Sequence, residues 1–357
     1  MLKEIQNNKR LIILLFILLL SSVVSWWYVL SPRSNVVEMS KPVINANSLY
    51  YSELNGNTVT SSEYAVSKIV AVMIDNFPGI SQSCLGAGGS VVYEAPVEGA
   101  NTRFMQVMSS DSDLPVVGPV RSARSYYLDW LAEYGNDALY MHCGGAPEAL
   151  TLIKTRDIFD ANEFYWGPYY WRDNKKIAPH NLFTGSEEWN SLLDKYSATT
   201  NKTVWSGWEF SKDVSEGIGE PVKEISIKYY TGYKVMWRYQ SNSKPLFYER
   251  FVNNESYRSI CSNDSNAPAF PITTQNVIVQ FVQMETIDEV GRKEIKTIGS
   301  GDVYVLRNGQ LIRGQWKKEN LAGRTRFYDG KNEEIKLAPG STWVQIVPQG
   351  TAVEVTN

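Results

Sequence analysis

The stretch VVYEAPVEGANTRFMQVMSS, residues 91–110, decides the fold of the chain together with VGPVRSARSYYLDWLAEYGNDALYMHCGG, residues 117–145. The first segment predicts two β-strands at 91–98 and 103–108, because both are rich in β-forming residues and a Gly-Ala-Asn-Thr turn separates them. They form a hairpin or two neighbouring strands. The second segment predicts a helix and then a strand at 138–142, and this alternation is typical of an α/β layer domain.

The predicted helix of the second segment is about a dozen residues long. Ser122 is a good N-cap residue, and Gly135 suits the position just after the last turn. Apolar residues at i, i+3, i+4 and i+7 form the stripe that we expect to be buried. These residues are Tyr127, Trp130, Leu131 and Tyr134.

Charged residues of the two segments form the first candidate site. Glu94 and Glu98 lie four residues apart, and Arg121 and Arg124 lie at the predicted start of the helix. Cations at that end oppose the helix dipole, at a cost of roughly a few tenths of a kcal/mol each. The two glutamates or an anionic ligand would offset this cost. Both a structural arginine–carboxylate network and a ligand site fit the pattern.

Other polar residues are expected to line the same pocket. The buried-strand pattern KIVAVMID at 68–75 ends in Asp75 and Asn76, and polar residues at such strand ends often face a ligand in α/β sheets. His142 and His180 are the two histidines of the chain. The predicted ligand-binding residues are Asp75, Asn76, Glu94, Glu98, Arg103, Arg121, Ser122, Arg124, His142, Arg172, His180 and Asn181. No catalytic residue is assigned, and no metal ligands or cofactor are predicted.

Composition excludes several classes of function. The chain has 357 residues with 43% hydrophobic residues and a net charge of −3, which indicate a globular protein that does not bind nucleic acid. Its three cysteines lack the spacing of a zinc site. We expect buried free cysteines rather than one disulfide with a thiol left over. Cys143 and His142 are adjacent on a predicted strand and point to opposite faces, so they are not a catalytic pair.

The N-terminus predicts a membrane anchor. Residues 11–30 carry no charge and are long enough to span a bilayer, and the basic residues before them are expected to stay in the cytoplasm. We therefore predict a single-pass protein of the cell membrane, with residues 1–30 as flank and anchor and the bulk of the chain extracytoplasmic. A cleaved signal peptide is the alternative, since Val23-Val24-Ser25 is a passable cleavage site.

The remaining chain divides into a linker and two domains. Residues 31–66 are polar and show no sustained period, which predicts an extracytoplasmic linker. Residues 67–221 alternate strands and helices, which predicts an α/β (or α+β) domain that contains the polar pocket. Residues 222–357 change to a period of two, with a strong hairpin signal at Asn308-Gly309, which predicts a β-rich domain.

Four shorter predictions complete the N-terminal domain. Residues 80–85 are expected to form a short helix, and residues 147–155 and 186–196 two longer ones. The segment FYWGPYYW at 164–171 has no clean period and a central Gly-Pro, so it is predicted to be an aromatic loop.

Several motifs resemble one bacterial family. They are VVYEAPVEGANTRFMQVM, VGPVRSARSYYLDW, the APHN of residues 178–181, NVIVQ, RNGQLIRGQWKK and GSTWVQIVP. Together they resemble the YerB-like lipoprotein family, two consecutive domains of unknown function, over about residues 65 to 350. The resemblance implies a bacterial, extracytoplasmic protein of the cell envelope, and it implies no reaction. Members are usually lipid-anchored, but this chain has no lipobox cysteine, so the helix itself would be the anchor.

The favoured hypothesis is a membrane-anchored cell-envelope protein. It would bind an anionic or glycan ligand, or a cell-wall partner protein, through the Arg/Glu/His pocket. Peptidoglycan and cell-wall synthesis proteins are the expected partners. The alternative is a cell-wall hydrolase or transferase in which Glu94 or Glu98 acts as acid or base and one of the two histidines shuttles protons. Carboxylates four apart on a strand lie about 13 Å apart, wider than either glycosidase spacing, so binding is preferred.

Overall fold

The computed structural model describes residues 49–196, 205–211, 219–264 and 266–357. The predicted anchor at 11–30 lies outside these ranges. Within them, no helix has the length and apolar character needed to cross a membrane.

Five α-helices lie in the described ranges. They are α1 (Ser62–Ala65), α2 (Ser125–Leu131), α3 (Pro147–Thr155), α4 (Glu163–Trp166) and α5 (Ser186–Tyr196). Single 3-10 turns follow two of them, at Ala132–Tyr134 and Gly167–Tyr169. Strands make up most of the remaining regular structure. They are β1 (Tyr50–Tyr51), β2 (Thr58–Val59), β3 (Ile69–Asn76), β4 (Val91–Pro96), β5 (Thr102–Ser109), β6 (Leu139–His142), β7 (Phe159–Asn162), β8 (Trp171–Arg172), β9 (Leu182–Phe183), β10 (Glu220–Pro221), β11 (Glu224–Tyr230), β12 (Tyr233–Gln240), β13 (Phe247–Val252), β14 (Glu255–Ser256), β15 (Arg258–Ser259), β16 (Phe270–Pro271), β17 (Thr273–Thr274), β18 (Asn276–Val282), β19 (Met284–Thr286), β20 (Lys293–Ile295), β21 (Gly299–Arg307), β22 (Gln310–Lys318), β23 (Arg326–Asp329), β24 (Thr342–Pro348) and β25 (Val353–Thr356).

The main sheet has 11 strands in the order β10-β22-β21-β18-β24-β4-β5-β3-β6-β7, with β23 beside β22. Strand β3 is buried along its whole length, with its side chains alternating between two cores. Val70 and Val72 pack into one core, and Ala71 and Met73 pack into the other. A strand covered on both faces needs a continuous apolar run, which explains the KIVAVMID sequence.

A second, antiparallel sheet covers one face of the main sheet. Its order is β14-β13-β12-β11-β25, with β17 beside β13. Ile225 and Trp237 of this sheet belong to the same core as Val70, and Trp189 of α5 joins them. Helices α2 and α3 supply apolar residues to the core on the opposite face. The described residues therefore form three layers around two cores.

The fold class is confirmed in its coarser form, because the described residues are mostly β-structure with few helices. The two-part arrangement also fits, since every strand of the second sheet follows residue 221. The main sheet, however, takes strands from both sides of that boundary. In particular, β24 lies parallel to β4, with Thr342 opposite Val91. The boundary at residue 221 stays a prediction, but the two regions share one sheet.

Local predictions were confirmed where the pattern was strong. Strands β4 and β5 form the predicted antiparallel pair, and β21 and β22 pair across Asn308-Gly309. Helices α3 and α5 have the predicted bounds. The predicted stripe of the central helix is buried.

Other local predictions were wrong. Helix α2 begins at Ser125 with Arg124 at its N-cap, so Ser122 does not cap it. The cause is a non-local contact, since Ala123 forms a parallel bridge with Gly145 and keeps the preceding backbone extended. The predicted helix at 80–85 is irregular chain.

Two segments predicted to lack regular structure are folded. Residues 164–171 contain α4 and a 3-10 turn instead of a loop only. Residues 49–66 contain β1, β2 and α1 rather than linker. Leu54 explains this difference, because it is buried in the core beside α2 and so ties the segment to the sheet.

The expectation of free cysteines was wrong for two of the three. Cys84 and Cys261 form a disulfide, and Cys143 is the free thiol. The bridge joins the irregular chain before β4 to a segment 177 residues later, so no local spacing in the sequence indicated it.

A buried ion pair joins the two sheets. Glu94 of β4 and Arg250 of β13 are both fully buried, with Glu94 Oε2 2.9 Å from Arg250 Nη2. The carboxylate accepts four further hydrogen bonds, two at each oxygen. The donors are Thr102 Oγ1 (2.8 Å), Tyr233 Oη (2.6 Å), Trp343 Nε1 (3.2 Å) and Gln345 Nε2 (3.1 Å). A buried carboxylate with five donors is fully satisfied, and it fixes the position of both sheets.

Aromatic rings complete the surroundings of Arg250. Its guanidinium carbon lies 4.3 Å from the ring centre of Tyr257 and 5.0 Å from that of Trp343. Nε and Nη1 have no hydrogen-bond partner in the described part of the chain. Contact with ring faces stabilises the part of the cation that Glu94 does not reach.

We predict that Glu94→Gln lowers the free energy of unfolding by about 3–5 kcal/mol, because it leaves the Arg250 cation buried without a counter-charge. Urea denaturation measures the change. Glu354→Gln is the matched control, since Glu354 pairs with Lys234 at the surface and its loss should change nothing measurable. The double variant Glu94→Gln/Arg250→Met should recover part of the loss. Equal stability of Glu94→Gln and wild type would show that the pair does not hold the sheets.

Candidate functional site

The carboxyl end of β3 presents Asp75 to a group of cations. Asp75 Oδ2 lies 3.2 Å from Arg121 Nε and contacts His180 Nδ1. Its Oδ1 accepts a hydrogen bond from the backbone N–H of Phe77 at 3.2 Å. The segment that contains Arg121 is held beside the strand end, because Arg121 N–H donates to the Met73 carbonyl oxygen. Asp75 thus orients one arginine and one histidine side by side.

A second carboxylate pairs with the arginine that begins α2. Arg124 donates from Nε and Nη2 to the two oxygens of Glu98, each at 2.7 Å. Burial raises the pKa of Glu98, but the hydrogen bonds and charge of Arg124 outweigh burial, so the pKa falls below its usual 4.5. This two-point contact is the strong form of an arginine–carboxylate pair.

Arg103 is the third cation and has no carboxylate partner among the described residues. It lies opposite Asp75 in the register of β3 and β5, is only 6% exposed, and donates from Nη1 to the Ser122 carbonyl oxygen at 2.8 Å. Its Nε has no hydrogen-bond partner in the described ranges. Burial and the charges of Arg124 and Arg121 lower the pKa of Arg103 to about 10, so the side chain is still cationic at neutral pH.

The three guanidinium groups line one open cavity of about 340 Å³. We call it the arginine cavity. Its charged lining residues are Asp75, Glu98, Arg103, Arg121 and Arg124, and Val290 reaches its rim from the β19–β20 hairpin. Three cations face two carboxylates in this space. The arrangement is therefore suited to hold an anion with several oxygens.

The structure brings together only part of the predicted site. Asp75, Glu98, Arg103, Arg121 and Arg124 line the arginine cavity. His180 reaches Asp75, and Ser122 contributes its carbonyl oxygen rather than its hydroxyl.

The remaining predicted site residues lie elsewhere. Glu94 does not offset the helix arginines as expected, since its side chain points into the buried network with Arg250. Asn76 joins that network by donating to Thr102 Oγ1 at 2.6 Å. Arg172 and Asn181 contact each other at 3.1 Å, and neither lines the arginine cavity. The alternation of side chains along β4 explains the orientation of Glu94, because this residue lies on the face of the strand that is turned toward the second sheet.

His142 is occupied on both ring nitrogens. Nδ1 lies 2.7 Å from the Gly144 carbonyl oxygen, and Nε2 lies 2.7 Å from Asp160 Oδ1. The ring is fully buried. His142 therefore holds the end of β6 in place and has no free nitrogen for a ligand.

Sequence reasoning missed Arg250, Tyr233 and Tyr257, which complete the buried network. One signal was present, since Tyr248 and Arg250 occupy the same face of the alternating strand β13 and both are buried. An arginine on the inward face of a strand needs a buried partner. The sequence did not identify that partner, because Glu94 lies 156 residues away.

Comparison with known proteins places this architecture in a family. The N-terminal domain of a family described as a protein of unknown function (DUF3048) matches residues 54–201, and its C-terminal domain matches residues 225–344. The chain belongs to this YerB-like family, which confirms the resemblance of its motifs.

A comparison of sequence and a comparison of structure support the assignment. The putative lipoprotein YerB of Bacillus subtilis (strain 168) is 26% identical over 306 residues, which cover 84% of this chain and 86% of the relative. The crystal structure of the YerB protein from Bacillus subtilis matches with a TM-score of 0.71 and 25% identity, over 86% of this chain and 99% of that chain. That relative shares this fold, and the description of the family names no activity.

We predict that Glu98→Gln lowers the free energy of unfolding by about 1–3 kcal/mol at neutral pH, since it removes a two-point charged pair. The folded-state pKa of Glu98 is depressed, so the stabilisation is complete above the usual pKa of 4.5 and is lost as the pH falls through the folded value. The difference from wild type should therefore shrink in acid. Urea unfolding at about pH 7 and about pH 3.5 tests this, and a pH-independent difference would contradict it.

Proposed function

We propose that this protein is an extracytoplasmic cell-envelope protein that binds an anionic ligand in the arginine cavity. The envelope location is supported by the relative described as a putative lipoprotein and by the uncharged segment at residues 11–30. That segment is proposed as a single-pass anchor. Peptidoglycan or a cell-wall synthesis protein is the proposed source of the anion.

Arg103 is the observation that carries the proposal. A buried cation with no carboxylate at salt-bridge distance is unfavourable, and two like charges nearby add to the cost. An anion seated among Arg103, Arg121 and Arg124 would offset this cost. Guanidinium groups favour carboxylate and phosphate, because their planar donors match two oxygens at once.

A second excess cation in the molecule provides a contrast. Lys318 and Arg324 are both buried beside the single carboxylate of Glu133. There the guanidinium carbon of Arg324 lies 3.8 Å from the ring centre of Trp208 and 4.4 Å from that of Tyr134. Aromatic faces cover that cation, whereas Arg103 faces an open cavity, so ligand binding is proposed only for Arg103.

The hydrolase or transferase alternative receives less support. An acid–base mechanism needs a carboxyl group that can exchange protons with a substrate. Glu94 is fully buried and accepts five hydrogen bonds, and Glu98 is held by Arg124 with a depressed pKa. The contact between Asp75 and His180 is the remaining acid–base pair at the cavity. Binding therefore accounts for more of the site than catalysis does.

Arg103→Gln should weaken binding of lactate, a simple carboxylate, to the purified full-length protein by at least about tenfold. Isothermal titration calorimetry measures the affinity. Arg313→Gln is the control, since Arg313 pairs with Glu220 at the surface and its loss should leave the affinity unchanged. Urea unfolding verifies that both variants fold.

The same proteins, incubated with peptidoglycan, separate binding from catalysis. Co-sedimentation that is lost in Arg103→Gln supports the proposal. Fragments released by wild type and detected by mass spectrometry would favour the hydrolase instead. Equal lactate affinity of Arg103→Gln and wild type would overturn the assignment of the anion site.

A further inference from the structure

A second cavity of about 490 Å³ adjoins the arginine cavity. We call it the neutral cavity. Its walls are the chain after β3 at 77–82, the turn at 100–102, the tip of the β11–β12 hairpin at 231–233, and the chain at 252–258. Cavities of this size hold small organic ligands in many proteins.

The two cavities share three lining residues. Phe77, Asn101 and Thr102 line both of them. The Phe77 side chain is half exposed (49%), although it is large and apolar. One molecule can therefore extend from one cavity into the other along these three residues.

The neutral cavity differs in chemistry from its neighbour. Arg258 is its single charged lining residue among those described, and that side chain already donates to the Ala269 carbonyl oxygen. Burial raises the pKa of Tyr257 to about 12 and raises that of Tyr233, so both hydroxyls stay uncharged at neutral pH. The lining offers no second site for an anion.

The polar groups of the neutral cavity suit hydroxyl groups. Ser81, Asn101 and Thr231 lie on its walls. The two hydroxyls can both donate and accept hydrogen bonds, as sugar hydroxyls do, and Asn101, whose amide nitrogen donates to the Gly99 carbonyl oxygen, offers Oδ1 as an acceptor. The exposed ring of Phe77 provides a flat apolar surface against which the C–H face of a sugar ring can pack. An aromatic face surrounded by amide and hydroxyl groups favours a saccharide over an apolar ligand.

We infer that the ligand is an acidic saccharide, with its anionic group among the three arginines and its sugar ring in the neutral cavity. This inference rests on the proposed anion site and names the class of ligand. It requires that ring and anion belong to one molecule, because the two cavities meet at Phe77, Asn101 and Thr102.

Three probes test the inference on the full-length protein by calorimetry. N-acetylmuramic acid carries both groups, lactate carries the carboxylate alone, and N-acetylglucosamine carries the ring alone. We expect N-acetylmuramic acid to bind at least about tenfold more tightly than either part. Glucose 1-phosphate tests whether the arginines prefer a phosphate to a carboxylate. Tight binding of N-acetylmuramic acid or of glucose 1-phosphate supports the inference.

Thr231→Trp places a bulky side chain at the exposed hairpin tip that lines the neutral cavity. It should reduce the affinity for N-acetylmuramic acid to that for lactate and leave lactate binding unchanged. The matched control is Ser241→Trp, at the exposed turn beyond the other end of β12, which should bind all probes as wild type does.

The outcomes separate this inference from the proposed function. Lactate binding without any gain for N-acetylmuramic acid or glucose 1-phosphate would overturn the saccharide assignment and leave the anion site intact. If an acetylated acidic dipeptide bound as tightly as N-acetylmuramic acid, the saccharide assignment would be overturned in favour of a peptide ligand. Failure of every anionic probe to bind wild type would overturn both.

Discussion

The position of the two sheets depends on one buried ion pair, between Glu94 on β4 and Arg250 on β13. Both charges are removed from water, so the fold must bring the strands to one separation and register. Thr102 and Tyr233 donate to the same carboxylate and also line the neutral cavity. Two residues of the network that joins the sheets therefore also form part of the cavity wall. Rigid walls of this kind reduce the cost of ordering a site when a ligand binds.

The arginine cavity differs from the buried network in its charge balance. In the buried network every oxygen of the carboxylate is satisfied, whereas the cavity contains one cation more than it has carboxylates. Both carboxylates of the cavity pair with other arginines, since Glu98 binds Arg124 and Asp75 contacts Arg121. The buried network of Glu133 also has one cation in excess, but there aromatic rings cover Arg324, whereas Arg103 lines an open cavity; this difference separates the ligand hypothesis from the purely structural one.

Local patterns predicted most of the elements but few of the long-range contacts. The continuous apolar run of β3, the turn at Asn308-Gly309 and the stripe of α2 each depend on neighbouring residues, and each was predicted from the sequence. Asp75 and Arg103 were both predicted site residues, and pairing of β3 with β5 places them opposite each other. The start of α2 and the Cys84–Cys261 bridge were missed because distant segments determine them. The same holds for the partner of Glu94, whose environment is set by a strand 156 residues later.

The most direct test of the anion site is anomalous diffraction from crystals soaked in selenate. Bound selenate should give an anomalous peak in the arginine cavity. The oxygens of the anion should lie about 3 Å from nitrogens of Arg103 and of Arg121 or Arg124. The peak should be absent from crystals of Arg103→Gln prepared in the same way. An empty cavity in wild-type crystals that carry selenate at exposed arginines would contradict the anion site and leave the three arginines as part of the architecture.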